Sequence, residues 1–256
     1  MRLTGAFSFA IIKIMESINK ENLPKHIVVI PDGNRRWAKR KDLRPWQGHR
    51  EGVKTFEEIL DLTDKLNIFC FSFWGASKDN ILKRNKTEVA ILLELFRIHF
   101  ARLLKNKRIH EKGIRINIFG EWEKHLSPRI KKPMLELIEK TKKYDKFFLN
   151  FFIMYDGREE MAEAIKKIVK QNKEKPGLKI TQELIKENLY TRDLPAVDFL
   201  IRTGVEGDPH NSAGFMMWDT SYSQLYFTET TWPDFKQEKL IEALKDYEKR
   251  ERRLGS

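Results

Sequence analysis

The segment HIVVIPDGNRRWAKR, beginning at His26, sets one carboxylate, one glycine, one amide and two adjacent arginines directly after an apolar run. Asp32 offers oxygen to a hard cation such as Mg2+, which binds through one or two carboxylates together with phosphate oxygens. Gly33 lets the backbone approach a ligand closely. A helix starting there would present free N–H groups and a partial positive charge. Arg35 and Arg36 add permanent charge in a fork that matches phosphate oxygens. Downstream, RPWQGHREG adds Arg44, a further glycine and His49. Together these residue types describe a diphosphate site. The DGN turn by itself also fits an ordinary capped strand-turn-helix with basic residues in solvent.

Other strand ends carry similar chemistry. Arg202 follows the apolar run VDFLI, and Ser77, Asn80 and Arg84 follow IFCFSFW. A structural ion pair of Arg202 with Asp198 or Glu206 is the competing explanation for the first. Arginine and amide groups gathered beside an apolar core suit a ligand with a charged head and an oily tail.

Positioning these groups requires strands and helices in alternation. Strands are predicted over 26–31, 68–74, 114–119, 147–154, 197–201 and 223–227. Amphipathic helices are predicted over 50–66, 87–107 and 158–171, and a charged helix over 237–253. Alternation with fully apolar strands predicts an α/β fold: a single parallel β-sheet flanked by helices. Ligands then bind beyond the carboxyl ends of the strands, so the loops after Pro31, Trp74 and Ile201 should share one rim. Residues 1–256 are expected to form one domain, with 1–23 as an N-terminal helical extension.

Composition bounds the partners. A net charge of +12 favours anionic ones. Nucleic acid is not expected among them, because basic and aromatic residues do not interleave and the arginines concentrate at strand ends. The single cysteine, Cys70, rules out an intrachain disulfide and suits a small core residue. No apolar run approaches the roughly 18 residues of a membrane span. The stretch GAFSFAIIKIM fits an amphipathic helix on the body or on a membrane surface, so a cytoplasmic protein with peripheral membrane contact is expected.

The segments LPKHIVVIPDGNRRWAKR, GHREGVKTFEEIL, YDGREEMAEAIKKI, DFLIRTGVE, YSQLYFTETTWPDF and RERRLG resemble, in order, the cis-prenyltransferases of the undecaprenyl diphosphate synthase family. The resemblance implies a homodimer with a hydrophobic tunnel. It implies Mg2+-dependent condensation of an allylic diphosphate with isopentenyl diphosphate, giving a Z double bond. By the same resemblance Asp32 contacts the metal, and Asp32, Asn34 and Asn80 are catalytic. Gly33, Asn34, Arg35 and Arg36 cradle the allylic diphosphate beside a structural Trp37. Arg44 and His49 assist phosphate binding. Ser77 and Arg84 match a substrate-binding segment, and Arg202 and Ser212 bind the acceptor's diphosphate. The terminal Arg-Arg-Leu-Gly would reach the partner's site.

Departures cluster on the acceptor side. IRTGVEGDPHNSAGF is longer than the family segment and lacks its second arginine. Gln224 replaces a metal-contacting glutamate, and ASKDNIL carries Ala76 and Ile81 for two aromatics. The donor chemistry is thus expected to survive with acceptor selection altered: either Asp219, Asp208 or His210 compensates, or the acceptor is held differently, an alcohol being one example. A non-catalytic partner subunit is a further reading, weakened by the intact Asp32, Asn34 and Arg36.

Overall fold

The computed structural model describes residues 18–250. Strand β1 is His26–Ile30, and all five of its residues are buried. A strand without a polar face needs cover on both sides, which a parallel sheet between helical layers supplies. The other strands are β2 (Cys70–Ser77), β3 (Ile114–Phe119), β4 (Phe147–Tyr155), β5 (Phe199–Arg202) and β6 (Gln224–Phe227). All six pair in parallel, in the order β3-β4-β2-β1-β5-β6. Each corresponds to a strand predicted from the sequence.

The helices are α1 (Asn34–Arg40), α2 (Pro45–Lys65), α3 (Lys78–Lys83), α4 (Lys86–Leu104), α5 (Lys107–Glu111), α6 (Trp122–His125), α7 (Pro128–Thr141), α8 (Gly157–Glu174), α9 (Gln182–Asn188) and α10 (Gln237–Glu248). The period of two along each strand divides the core. Ile27, Val29, Phe71 and Phe151 pack on one side with Phe56 of α2, Phe100 of α4 and Met134 of α7. Val28, Ile30, Cys70 and Phe152 pack on the other with Leu194 and Phe215.

Three differences from the sequence reading have physical causes. First, β2 runs on to Ser77 instead of ending at Trp74, because its register against β4 shifts at Gly75–Ala76. A bulge of this kind bends a strand and re-aims its end. Second, the pattern over 87–107 breaks into α4 and α5, where the Asn106 side chain accepts from the Arg108 amide at 3.1 Å and starts a new helix. Third, α7 forms despite the internal Pro133, which hid it in the sequence. Its buried stripe of Ile130, Met134 and Leu137 offsets the lost backbone bond. Of the N-terminal extension, residues 1–17 lie outside the described residues, and Lys20–Asn22 forms a short 3-10 turn. The terminal Arg-Arg-Leu-Gly also lies outside them.

Strand β1 has β2 on one side and β5 on the other. The chain therefore leaves β1 in one direction and reaches β5 in the other, which opens a crevice at the carboxyl end of β1. Asp32 sits at that opening.

Beneath it, His26 lies in the core. Its Nδ1–H donates to the Pro195 carbonyl at 2.9 Å, and Nε2 accepts from the Ser72 hydroxyl at 2.8 Å. Burial pushes its pKa from 6.5 to about 4. Between those values the unfolded chain binds the extra proton and the folded chain does not, so stability rises with pH. Stability is expected to be full above pH 6.5 and to fall by up to about 3 kcal/mol as pH drops towards 4. Urea unfolding midpoints across that window check this, and His26→Gln should reduce the dependence to the share that the likewise buried His99 and His49 contribute. A midpoint insensitive to acid in the native chain would contradict the buried neutral imidazole.

Candidate active site

The turn after β1 is tied at several points. The Asp32 amide donates to Thr203 Oγ1, and that hydroxyl donates back to the Asp32 carbonyl, both at 2.9 Å. The Trp232 amide donates to the same carbonyl at 2.8 Å. Gly33 adopts φ +97°, and a Cβ there would lie 2.6 Å from Thr231 Cγ2. Only glycine suits both the conformation and the space. This left-handed step lets α1 begin at Asn34, with Arg35 and Arg36 in its first turn.

The Asp32 carboxylate lies between two guanidinium groups. Arg36 Nη2 is 3.1 Å from Asp32 Oδ1, and Arg202 Nη2 is 3.3 Å from Oδ2. Arg36 also donates to the Gly204 carbonyl at 2.6 Å and meets Glu206 at 2.8 Å. Arg202 is buried at the end of β5 and donates to the His210 carbonyl at 2.5 Å. Its Nε is buried with no hydrogen-bond partner among the described residues. The ion pairs weighed for Arg202 in the sequence, with Asp198 or Glu206, thus give way to Asp32.

A second cluster surrounds Glu88 at the start of α4. His49 Nε2 is 3.3 Å from its Oε1, and Arg35 and Arg84 each approach that oxygen at 3.6 Å. Burial pushes the His49 pKa below its ordinary value, although Glu88 opposes this. Glu88 went unnoticed in the sequence, yet a signal existed. Asn85-Lys86-Thr87-Glu88 has the helix-start pattern of a capping residue followed three positions later by glutamate. Asn85 Oδ1 accepts from the Thr87 amide at 2.9 Å. At the neighbouring strand end, Ser77 caps α3 by accepting from the Asn80 amide at 3.1 Å, and the Asn80 side chain also donates to its hydroxyl.

These groups surround the mouth of a cavity of about 700 Å³. Asp32, Gly33, Asn34, Arg35, Arg36, His49, Ser77, Asn80, Arg84, Arg202 and Ser212 all line it. Its depth is walled by Phe56, Phe73, Phe96, Phe100 and Phe151. A charged mouth over an aromatic interior matches a ligand with a charged head and an oily tail.

The lining does not include Trp37, Arg44 or Gln224. Trp37 is buried, and its indole N–H donates to Asp234 at 2.7 Å, anchoring α1 to the WPDF segment. Arg44 is exposed, while its neighbours Leu43 and Pro45 line the cavity, so the chain turns that one side chain outward. Gln224 opens β6 and is register-paired with Phe199, whereas Arg202 pairs with Phe227. Three residues of strand, about 10 Å, separate it from the rim. Its Oε1 instead lies 3.4 Å from Arg250 Nη1. Within one chain, Gln224 therefore stands apart from the rim that carries Asp32. Asp219 is also removed as a compensating group. Lys186 and Thr191 occupy its two oxygens at 2.5 Å each, inside the fold. Asp208 and His210 are exposed and meet at 3.1 Å.

No group of three or more His, Cys, Asp or Glu residues that could cage a metal occurs among the described residues. A single carboxylate beside arginines fits Mg2+ carried on a diphosphate, since Mg2+ commonly takes few protein ligands and several phosphate oxygens.

Comparison with known proteins decides the family. The sequence profile of the undecaprenyl diphosphate synthase family matches residues 30–255. The chain belongs to this family of cis-prenyltransferases. The tritrans,polycis-undecaprenyl-diphosphate synthase (geranylgeranyl-diphosphate specific) of Thermococcus kodakarensis is 37% identical over 245 residues, covering 94% of this chain and 90% of that protein. An isoprenyl transferase of Aquifex pyrophilus is 35% identical over 233 residues, covering 91% and 96% respectively. Among solved structures, lavandulyl diphosphate synthase from Lavandula x intermedia, in complex with dimethylallyl diphosphate, is similar with a TM-score of 0.83. It is 25% identical, covering 92% of this chain and all of its own. As a cis-prenyltransferase, the protein transfers an allylic prenyl group from its diphosphate to an acceptor. No described helix is long and apolar enough to cross a membrane.

Proposed function

We propose that this cis-prenyltransferase elongates a geranylgeranyl-type allylic diphosphate with isopentenyl diphosphate in Z configuration, with Mg2+ held by Asp32 and the diphosphate. The observation that carries the reading is the Asp32 carboxylate set between Arg36 and Arg202 at the mouth of an aromatic-walled cavity. In the reaction the allylic C–O bond breaks, a carbon–carbon bond forms to the acceptor, and a proton leaves the acceptor. The departing diphosphate gains charge as its bond lengthens. Bound Mg2+ would neutralise part of that charge.

The protein supplies the rest through groups already in place. Arg35 and Arg36 take the leaving phosphates, Arg36 exchanging its contact with Glu206 for phosphate oxygen. Arg202 and Ser212 hold the acceptor's diphosphate, and the buried Nε of Arg202 gains a partner that it lacks among the described residues. Asn34, Asn80 and Ser77 orient the reacting ends. Donors fixed before the reaction stabilise developing charge with no reorganisation at that moment. The Phe-lined depth takes the hydrocarbon.

The active form is a homodimer in this reading. Support comes from β6, an edge strand whose exposed Leu225 and neighbouring exposed Tyr222 form an apolar margin. An oily product also calls for membrane contact at release. The test is incorporation of labelled isopentenyl diphosphate with geranylgeranyl, farnesyl and dimethylallyl diphosphates in turn, followed by mass analysis. A ladder of polyprenyl diphosphates, richest with the geranylgeranyl starter, is expected. Equal turnover without isopentenyl diphosphate, on an alcohol acceptor, would overturn it.

A further inference from the structure

A second cavity of about 570 Å³ adjoins the candidate active-site cavity. Its inner wall is apolar, formed by Leu60, Leu103, Ile114 and Leu149. Its outer rim is ionic: Arg108 bridges Asp61 at 2.8 Å and also pairs with Asp64. One polar side chain borders both cavities, that of His99 on α4.

The surroundings of His99 are unusual for an imidazole. Phe56 packs edge-on against its ring at 5.2 Å between centroids, with Phe100 and Phe151 farther out. Both ring nitrogens are buried with no hydrogen-bond partner among the described residues. Such groups are costly to leave unmade and rarely persist without a function. Glu57 Oε1 lies 3.8 Å from Nδ1, just beyond a hydrogen bond. Burial and the neighbouring Arg102 charge push the His99 pKa down to about 4, so the ring is neutral. A neutral ring can rotate out of an aromatic cage without dragging a charge through it.

We infer that His99 is a movable partition in a two-chamber hydrocarbon tunnel, and that its docking on Glu57 admits the growing prenyl chain to the second chamber. This rests on the prenyl-elongation reading above. The first chamber holds the starter and early additions. Once the tail meets the ring, further growth requires the ring to swing. Glu57 supplies the hydrogen bond that compensates the swung position. The ion-paired rim then closes the far end of the second chamber.

The test is the length distribution of dephosphorylated products made from geranylgeranyl diphosphate and labelled isopentenyl diphosphate. His99→Ala should shift the ladder to longer chains by whole isoprene units. Glu57→Leu should shift it to shorter ones. Ile114→Trp, which fills the second chamber far from the diphosphate groups, should shorten the products and cancel the lengthening in the double variant. A folded, active His99→Ala enzyme with the native ladder would overturn the proposal. If His99→Ala does not fold, Ile114→Trp decides alone: an unshortened ladder rejects the second chamber as a tunnel. A native enzyme that makes no polyprenyl product overturns the elongation reading and the partition with it. A native ladder that none of the variants alters overturns only the partition.

Discussion

Replacing Asp32 with alanine is expected to lower kcat by at least about 10²-fold, the scale of losing one preorganised stabiliser of transition-state charge. The loss has two sources in the geometry. Asp32 is the carboxylate lining the mouth between the two guanidinium groups, and in the proposed reaction it would hold Mg2+ against a diphosphate. It also orients Arg36 and Arg202 towards one point, and without it their mutual repulsion turns them apart. The turn itself should survive. Its backbone is held by Thr203 and Trp232 through the main chain of residue 32, which alanine keeps. The melting temperature is therefore expected to move little while turnover collapses. Asp32→Asn separates the two sources, since it keeps the shape and one hydrogen-bond acceptor but loses the charge. If Asn restores most of the activity, the metal and charge role is wrong and only the orienting role stands. The measurement is kcat against Mg2+ concentration for the native, Asn and Ala forms.

How much of this was legible in the sequence follows from the range of each cause. The six strands were visible because their apolar runs are local, and the parallel sheet leaves the inner strands β1, β4 and β5 almost wholly buried. The active-site turn was visible because Asp32, Gly33, Arg35 and Arg36 are contiguous, and α1 places them together without help from the rest of the chain. Register was not legible. Gln224 stands two residues before the Tyr226-Phe227 pair of a family-like segment, and pairing with Phe199 sets it at the opposite end of the strand from the Arg202 rim. Nor was the exposure of Arg44, which depends on which side of one loop faces the cavity. Glu88 was hidden by type: a carboxylate in a phosphate site looks misplaced until Arg35, Arg84 and His49 are seen around it. His99 was hidden in an apolar helical stripe, where a lone histidine reads as core.

Gly48 carries the second large expectation. In the sequence it counted only as a further glycine near the diphosphate site; its neighbours in the structure are Asn34 and Ala38 of α1. A Cβ on Gly48 would lie 2.0 Å from the Asn34 carbonyl oxygen, 2.8 Å from the carbonyl carbon and 3.2 Å from the Ala38 Cβ. On helix propensity alone, Gly48→Ala would stabilise α2 by about 1 kcal/mol. The clash opposes that gain, because its first partner is backbone rather than the tip of a flexible side chain. Overpacking of this kind costs about 1–3 kcal/mol, so net destabilisation is expected, read as a lower urea midpoint. Activity should suffer more. Relief requires α1 to move away from α2, and α1 carries Asn34, Arg35 and Arg36. A displacement of about 1 Å in positioning groups can cost about 10²-fold in rate. Gly52→Ala, one turn later, supplies the control. There a Cβ meets the Asn34 side-chain oxygen at 2.3 Å and Trp232 Cδ1 at 2.9 Å, both side-chain atoms. It should disturb Asn34 while leaving the α1 backbone nearer its place. The expected order of activity is native, then Gly52→Ala, then Gly48→Ala. A Gly48→Ala enzyme with native activity and a raised midpoint would show that propensity wins, and that α1 is not held to the catalytic mouth by its contact with α2.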